Sequence, residues 1–268
     1  MLSKVISKTR SWFEKNAVNK AINKALITMY FKKNVTGSIC VWEGASQFDG
    51  LPIQVILSGY SIDSTNTKTG AMIQVYILPK NNTPYEVYTE SKPTVCGSCK
   101  YLGGGCYVRW SNLGNIQKSG NRNFADLDLG QNLCAGLRVR VGAAGDPAAV
   151  PLWVWEHLLQ DADGFTGYTH AWRDYPEYKK FFVASTDSKQ ETDEALEQGW
   201  SPFYVVEDWE EAPQESFQCL SSKQKNMFQN YTCIECMKCH GGKTPKVIVE
   251  KLHGATSTIS QAKIARGK

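Results

Sequence analysis

Apolar and polar residues recur with two different periods along this chain, and the change between them marks out its elements. Over residues 3–31, Ile6, Phe13, Val18, Ile22, Ala25 and Met29 fall on one stripe with lysines between them. That spacing predicts an amphipathic helix, able to dock on the body or lie on a membrane surface, with docking the expected arrangement. Residues 53–60 (IQVILSGY) and 71–78 (AMIQVYIL) are apolar runs of strand length, joined by the polar, Gly-containing stretch SIDSTNTKTG.

From residue 137 strands and helices alternate. LRVRVGAAG predicts a strand ending at Asp146-Pro147, and residues 149–162 (AVPLWVWEHLLQDA) predict the helix that follows. GFTGYTHAW is a second strand, KFFVASTDS a third, ETDEALEQG a helix and WSPFYVVE a fourth strand. Strand, helix, strand at this spacing predicts right-handed parallel βα units, in either a (β/α) barrel or an open α/β sheet, and the form expected is an α/β fold with a partial TIM-like barrel. Four segments follow: a basic amphipathic helix (1–35), a barrel-like domain (36–206) with an inserted Cys cluster (96–106), an acidic linker with a Cys-rich metal-binding segment (207–242), and a basic tail (243–268). In the tail, KVIVEKL reads as a strand before a polar, mobile end.

A hydrophobic fraction of 42% with 8 Trp, 12 Tyr and 10 Phe supports a real core and excludes wholesale disorder. No apolar run is long enough for a membrane span. The opening MLSKVISKTRSWFEKN holds no continuous apolar block, which predicts a chain without a secretory signal, working in the cytoplasm. Charge is unevenly placed. Residues 1–33 carry eight Lys or Arg against Glu14, and residues 240–268 carry six against Glu250, so two basic ends flank an acidic body. Those ends suit either nucleic-acid phosphate or the solvation of exposed helices.

Cysteine spacing is the strongest chemical signal. The nine cysteines fall mostly into two clusters. TCIECMKCHGG gives C-x2-C-x2-C at Cys233, Cys236 and Cys239, with Cys219 upstream as a candidate fourth ligand. Thiolates two residues apart converge from one tight turn onto one metal, which points to a [4Fe–4S] cluster or, alternatively, to zinc. VCGSCKYLGGGCYV gives C-x2-C-x6-C at Cys96, Cys99 and Cys106, where three glycines let the chain fold back. With three local thiols, either Cys134 or another residue closes this site, or one iron stays open to a substrate or cofactor. HGGKT lacks the earlier glycine of a phosphate-binding loop.

The predicted barrel also places polar residues. Asp146, His170, Trp172, Ser185 and Asp187 fall at or just beyond the carboxyl ends of predicted strands, where α/β folds bind ligands. Asp146, His170 and Asp187 are the candidate catalytic residues, although Asp146 and Asp187 also suit helix caps.

The series SGYSIDSTNTKTGAMIQVYIL, VCGSCKYLGGGCYV, VRVGAAGDPAAVP, TGYTHAWR, VASTDS and CIECMKCHGG resembles a family of bacteriophage and plasmid proteins, the mycobacteriophage gene product 88 group. The likeness covers roughly residues 52–242 and leaves the N-terminal helix outside. It implies a phage or prophage origin, a barrel-like fold and residence in the host cytoplasm; it carries no established activity. A barrel with clustered cysteines is also similar in architecture to radical S-adenosylmethionine enzymes, whose C-x3-C-x2-C spacing is absent here. That likeness implies a reactive cluster on Cys96, Cys99 and Cys106 with S-adenosylmethionine as a further cofactor. The second Cys set would be auxiliary. The function expected is therefore that of an iron–sulfur protein acting on a nucleotide, nucleic acid, peptide or other small-molecule substrate. The alternative is a zinc-stabilised protein that binds nucleic acid or a host protein without catalysis.

Overall fold

The computed structural model describes residues 2–64, 66–222, 231–242, 246–253 and 256–265. Its first element, α1 (Leu2–Phe31), is the predicted N-terminal helix, but it docks by its polar side. Asn16, Lys20 and Asn23 are buried beside Ile27, whereas Val18, Ile22 and Met29 of the apolar stripe are exposed. Hydrogen bonding explains the inversion. Asn23 Nδ2 donates to the Tyr60 carbonyl at 2.9 Å and the Leu133 carbonyl at 2.8 Å. Lys20 Nζ donates to the Ala71 carbonyl at 3.0 Å and pairs with Asp63 at 2.8 Å. An apolar face would bury those carbonyls without donors, at about 1–3 kcal/mol each. The side chains of Ile6 and Phe13 lie outside the described residues.

The first sheet is built from β1 (Ile39–Ala45), β2 (Pro52–Ser58) and β3 (Ile73–Pro79), then, after α2 (Pro84–Thr89), α3 (Gly114–Arg122) and α4 (Leu127–Cys134), from β4 (Arg138–Ala144). A helix, α5 (Leu152–Leu158), leads to its last strand, β5 (Gly164–Thr166). The strand order is β1-β2-β3-β4-β5. The first two pairings are antiparallel and the last two are parallel. β1 escapes a periodicity reading because Glu43 and Gly44 interrupt its apolar run. The helix expected over 149–162 is shorter because Pro151 has no N–H to give to a helical turn; it stands at the N-cap of α5, behind a 3-10 turn at Pro147–Ala149. Helix α3 packs on β1 and β2, and α4 on β1 and α5.

The second sheet is wholly parallel. It comprises β6 (Tyr168–Thr169), β7 (Val183–Thr186), β8 (Pro202–Val206), β9 (Phe217–Gln218) and β10 (Ile248–Lys251), in the order β6-β7-β8-β10-β9. Helix α6 (Lys189–Glu197) crosses from β7 to β8. The Cys-bearing turn α7 (Cys233–Cys236) precedes β10, and α8 (Thr256–Ala265) follows it. The acidic stretch 207–216 connects β8 to β9 and carries a 3-10 turn at Trp209–Glu211. The strand expected within 246–252 is β10, which lies between β8 and β9, and where a polar, mobile end was expected beyond it Thr256–Ala265 form a helix.

The single strand expected at GFTGYTHAW is broken into β5 and β6 at Gly167. Its N–H donates to the Cys239 carbonyl at 3.0 Å, and its own carbonyl accepts from Val183 N at 3.1 Å. A Cβ there would lie 2.8 Å from the Phe182 ring, so a larger residue would push the sheets off this joint. Mixed α/β is the class that the ladders establish, as two five-stranded sheets, one of mixed direction and one parallel.

Candidate functional site

Side chains from both sheets line one cavity of about 730 Å³. Gln74 and Tyr76 on β3, Arg140 on β4, Phe203 and Val205 on β8, and Glu250 on β10 form its wall. Spacing of two residues within β3 and β8 is what sets each pair on one sheet face. Cys99, Cys106 and Tyr107 come from the loop between α2 and α3, and His170, Ser185 and Asp187 from the ends of β6 and β7. Gly105 has φ +83°, and a Cβ on it would lie 2.8 Å from the backbone of Ala262 in α8. The glycine run thus lets the Cys loop press against the C-terminal helix.

Of the early cysteines, Cys99 meets His170. Burial pushes the Cys96 thiol well up, and the neighbouring thiols of Cys99 and Cys106 push it further. Burial also raises Cys106. Cys99 goes the other way: against the pull of burial, the charge and hydrogen bond of His170 lower it. Burial presses His170 down, but Cys99, Asp187 and Asp146 together raise it from 6.5 to about 10. Each partner therefore favours the charged form of the other. Cys134, a candidate to close the early cluster, lies elsewhere: it is buried in the apolar core at the end of α4, and burial alone raises it to about 12.

The two acids of the predicted set serve His170 in different ways. Asp146 accepts from Ala148 N at 2.9 Å and from His170 N at 2.8 Å, so it caps the turn and fixes the backbone of His170. Burial raises its carboxyl, with His170 acting against that. Asp187 accepts from the Tyr101 hydroxyl at 2.7 Å and pairs with Lys100 at 3.1 Å. The cap of α6 is Ser188, which leaves the Asp187 carboxylate for the cavity. The Tyr101 ring meets the His170 ring edge-on at 5.9 Å. Ser185 lines the cavity, while Trp172 is core and donates from Nε1 to the Ser185 carbonyl at 3.2 Å.

The late cysteines gather beside Arg140 and Lys68. Cys239 is raised by burial and then by Cys233 and Cys236, with Arg140 and Lys68 opposing. Cys219 is raised by burial and by Glu250, and feels Cys239 more weakly. Burial raises Cys236. His240 stacks on Phe165 at 4.3 Å between centroids. All nine cysteines are free thiols. Among the described residues, however, no three Cys, His, Asp or Glu side chains are grouped so as to hold a metal ion. The sequence spacing brings thiols into each cluster without bringing three donors to one point.

Residues that the sequence reading passed over complete the wall. Arg140 is 8% exposed, and its guanidinium lies over the Tyr168 ring at 4.6 Å. Lys68 pairs with the buried Glu250 at 3.0 Å and lies 3.4 Å from His253 Nε2. The available signal was Arg140 between the two valines of LRVRV, since a charge in an apolar strand needs a reason to be there. Among the described residues no helix is long and apolar enough to cross a membrane. No protein-family model, no curated protein and no solved structure matches this chain.

Proposed function

We propose that the cavity is a reaction site built on cysteine, in which Cys96, Cys99 and Cys106 hold an iron–sulfur centre and the bound substrate is a nucleotide, peptide or other small molecule. The observation that carries this reading is the crowding of three free, half-buried thiols, two of which, Cys99 and Cys106, line the cavity, so that each added negative charge opposes the next. A metal cation relieves that opposition. Such a centre would supply electron transfer and an open iron for a ligand. As the side chains stand no three donors meet at one point, so no step is routed through a metal. What the chain itself contributes is a positioned His170, whose backbone is held by Asp146, and the wall of the cavity.

The matching view of the fold is a partial barrel. The two sheets adjoin at Gly167, and residues of both face the same cavity. On this reading Cys219, Cys233, Cys236 and Cys239 form the auxiliary set, and the chain is a phage- or plasmid-type protein of the gene product 88 kind, working in host cytoplasm.

A second reading is favoured by the bond between Cys99 and His170. A thiolate beside an imidazolium is an activated nucleophile without any metal. Cys99 Sγ would form a bond to an electrophilic carbon, the bond from that carbon to a departing heteroatom would break, and the imidazolium proton would go to that heteroatom. Here Cys99 and His170 are the catalytic residues and Asp146 a positioning residue.

Metal and acid-labile sulfide analysis of anaerobically purified protein, beside its visible spectrum, decides among these. Iron with matching sulfide, lost on Cys99→Ser, is the expected result. A test for S-adenosylmethionine cleavage on reduction follows from it. Colourless protein with stoichiometric zinc overturns the redox reading in favour of a zinc-stabilised binding protein. Metal-free protein whose Cys99 is alkylated ahead of every other thiol establishes the second reading.

A further inference from the structure

Arg140 is a buried cation without a carboxylate. Its Nη2 donates to the Tyr107 hydroxyl at 3.2 Å and to the Tyr168 hydroxyl, and those two hydroxyls are 2.7 Å apart. Its Nε is fully buried and has no acceptor. Among the described residues no Asp or Glu pairs with it. The buried carboxylates of the cavity are answered: Glu250 has Lys68, and Asp187 has Lys100 and Tyr101. A guanidinium left in this state costs several kcal/mol of lost hydration. Two phenols return only part of that, because neutral oxygens are weaker acceptors than charged ones.

The groups around Arg140 suit an anion. Lys68 lines the same cavity, as does Arg109. Tyr168 stacks on Phe203 at 5.1 Å, which provides a flat apolar surface next to the cation. The volume of about 730 Å³ is that of a small-molecule site. We propose that this cavity binds a small organic oxyanion, whose phosphate or carboxylate oxygens lie on the Arg140 guanidinium and the Tyr107 hydroxyl, with the organic part against Tyr168 and Phe203. The planar fork of arginine matches either oxyanion in two-point fashion, which a lysine would not. This inference names a substrate class for the cavity and does not depend on which chemistry the thiols perform.

The competing assignment is that the chain itself answers Arg140, through the sulfurs of Cys233 and Cys239, which lie close enough to raise its basicity when ionised. Calorimetric titration of the full chain with inorganic phosphate and, separately, with succinate, each against sodium chloride at equal ionic strength, tests the proposal. The expected result is saturable binding of at least one oxyanion, weakened tenfold or more in Arg140→Gln and more modestly in Tyr107→Phe. Tyr107 is half exposed, so its variant keeps the fold and gives a reading even where Arg140→Gln does not fold. Phosphate binding without succinate binding marks the ligand as phosphorylated, and the reverse marks it as a carboxylate. No binding of either, or binding that Arg140→Gln and Tyr107→Phe leave unchanged, overturns the proposal. Altered alkylation of Cys233 and Cys239 in Arg140→Gln, with oxyanion binding absent from the wild type, assigns the guanidinium to the thiols instead.

Discussion

At the scale of single residues, the Cys99–His170 pair makes a pH prediction whose sign follows from proton counting. In the unfolded chain Cys99 holds its proton up to about its ordinary 9.0, and His170 loses its own above 6.5. In the metal-free folded protein His170, beside Cys99, Asp187 and Asp146, keeps its proton up to about 10. Its contribution to stability is therefore full below 6.5 and is lost as pH rises through about 10. Cys99, lowered from 9.0, acts in the opposite sense: its contribution is full above 9.0 and is lost as pH falls. Each group has a slope of up to about 1.4 kcal/mol per pH unit. Above about pH 9 the histidine limb stands alone, so the stability advantage of wild type over His170→Gln in urea should fall as pH rises from there. A difference that stays level above about pH 9 would show that the folded protein does not hold the His170 proton. The three acid and imidazole positions were legible in the sequence because each follows a strand of recognisable pattern. Arg140 was not, because its role depends on what is missing around it, and only coordinates reveal an absent partner.

Elements were legible where burial runs on both faces of a strand, and misleading where polar groups do the docking. β2 has five successive buried residues and β3 six of seven, so their apolar runs name them without tertiary knowledge. Helix α1 was recognised by a stripe that turns out to face solvent, because periodicity identifies a helix and not the face it buries. The carbonyls of Tyr60 and Leu133 decide that face, and both lie far from α1 in sequence. Asn23→Ala therefore removes two donors at once from a side chain that is 3% exposed. It should destabilise the protein by about 1–3 kcal/mol. Val18→Ala, on the exposed stripe, should change stability by less than about 0.5 kcal/mol. Chemical unfolding of the two variants separates the faces. Equal losses would mean that α1 is held by its apolar side after all.

For the molecule as a whole, chain order and strand order part company in the second sheet, and this no local pattern announces. β10 comes last in sequence yet lies between β8 and β9. Its pairing with β8 runs over Ile248–Lys251 against Phe203–Val206, and it supplies the middle of two small buried groups, Val183 with Phe203 and Ile248, and Tyr204 with Val206 and Val249. Glu250 on the same strand carries the buried pair with Lys68, and Ala262 in the helix beyond packs against Gly105 of the Cys loop. The C-terminal segment is thus what joins the sheet, the cavity and the cysteine loop. Burying Ile248 and Val249 alone is worth about 1.5–3 kcal/mol each, against a stability of about 5–15 kcal/mol for a typical domain. Loss of the strand also strips β8 and β9 of their shared ladder. A chain ending at Gly242 should therefore lose the second sheet. The expected signs are rapid proteolysis between residues 200 and 220, a weakened near-ultraviolet circular dichroism signal, and loss of any oxyanion binding. Val249→Asp, which buries a charge at the centre of the same strand, should reproduce the defect in full-length protein. A truncated chain with an unchanged thermal midpoint would mean that β8 and β9 hold their places without the strand between them.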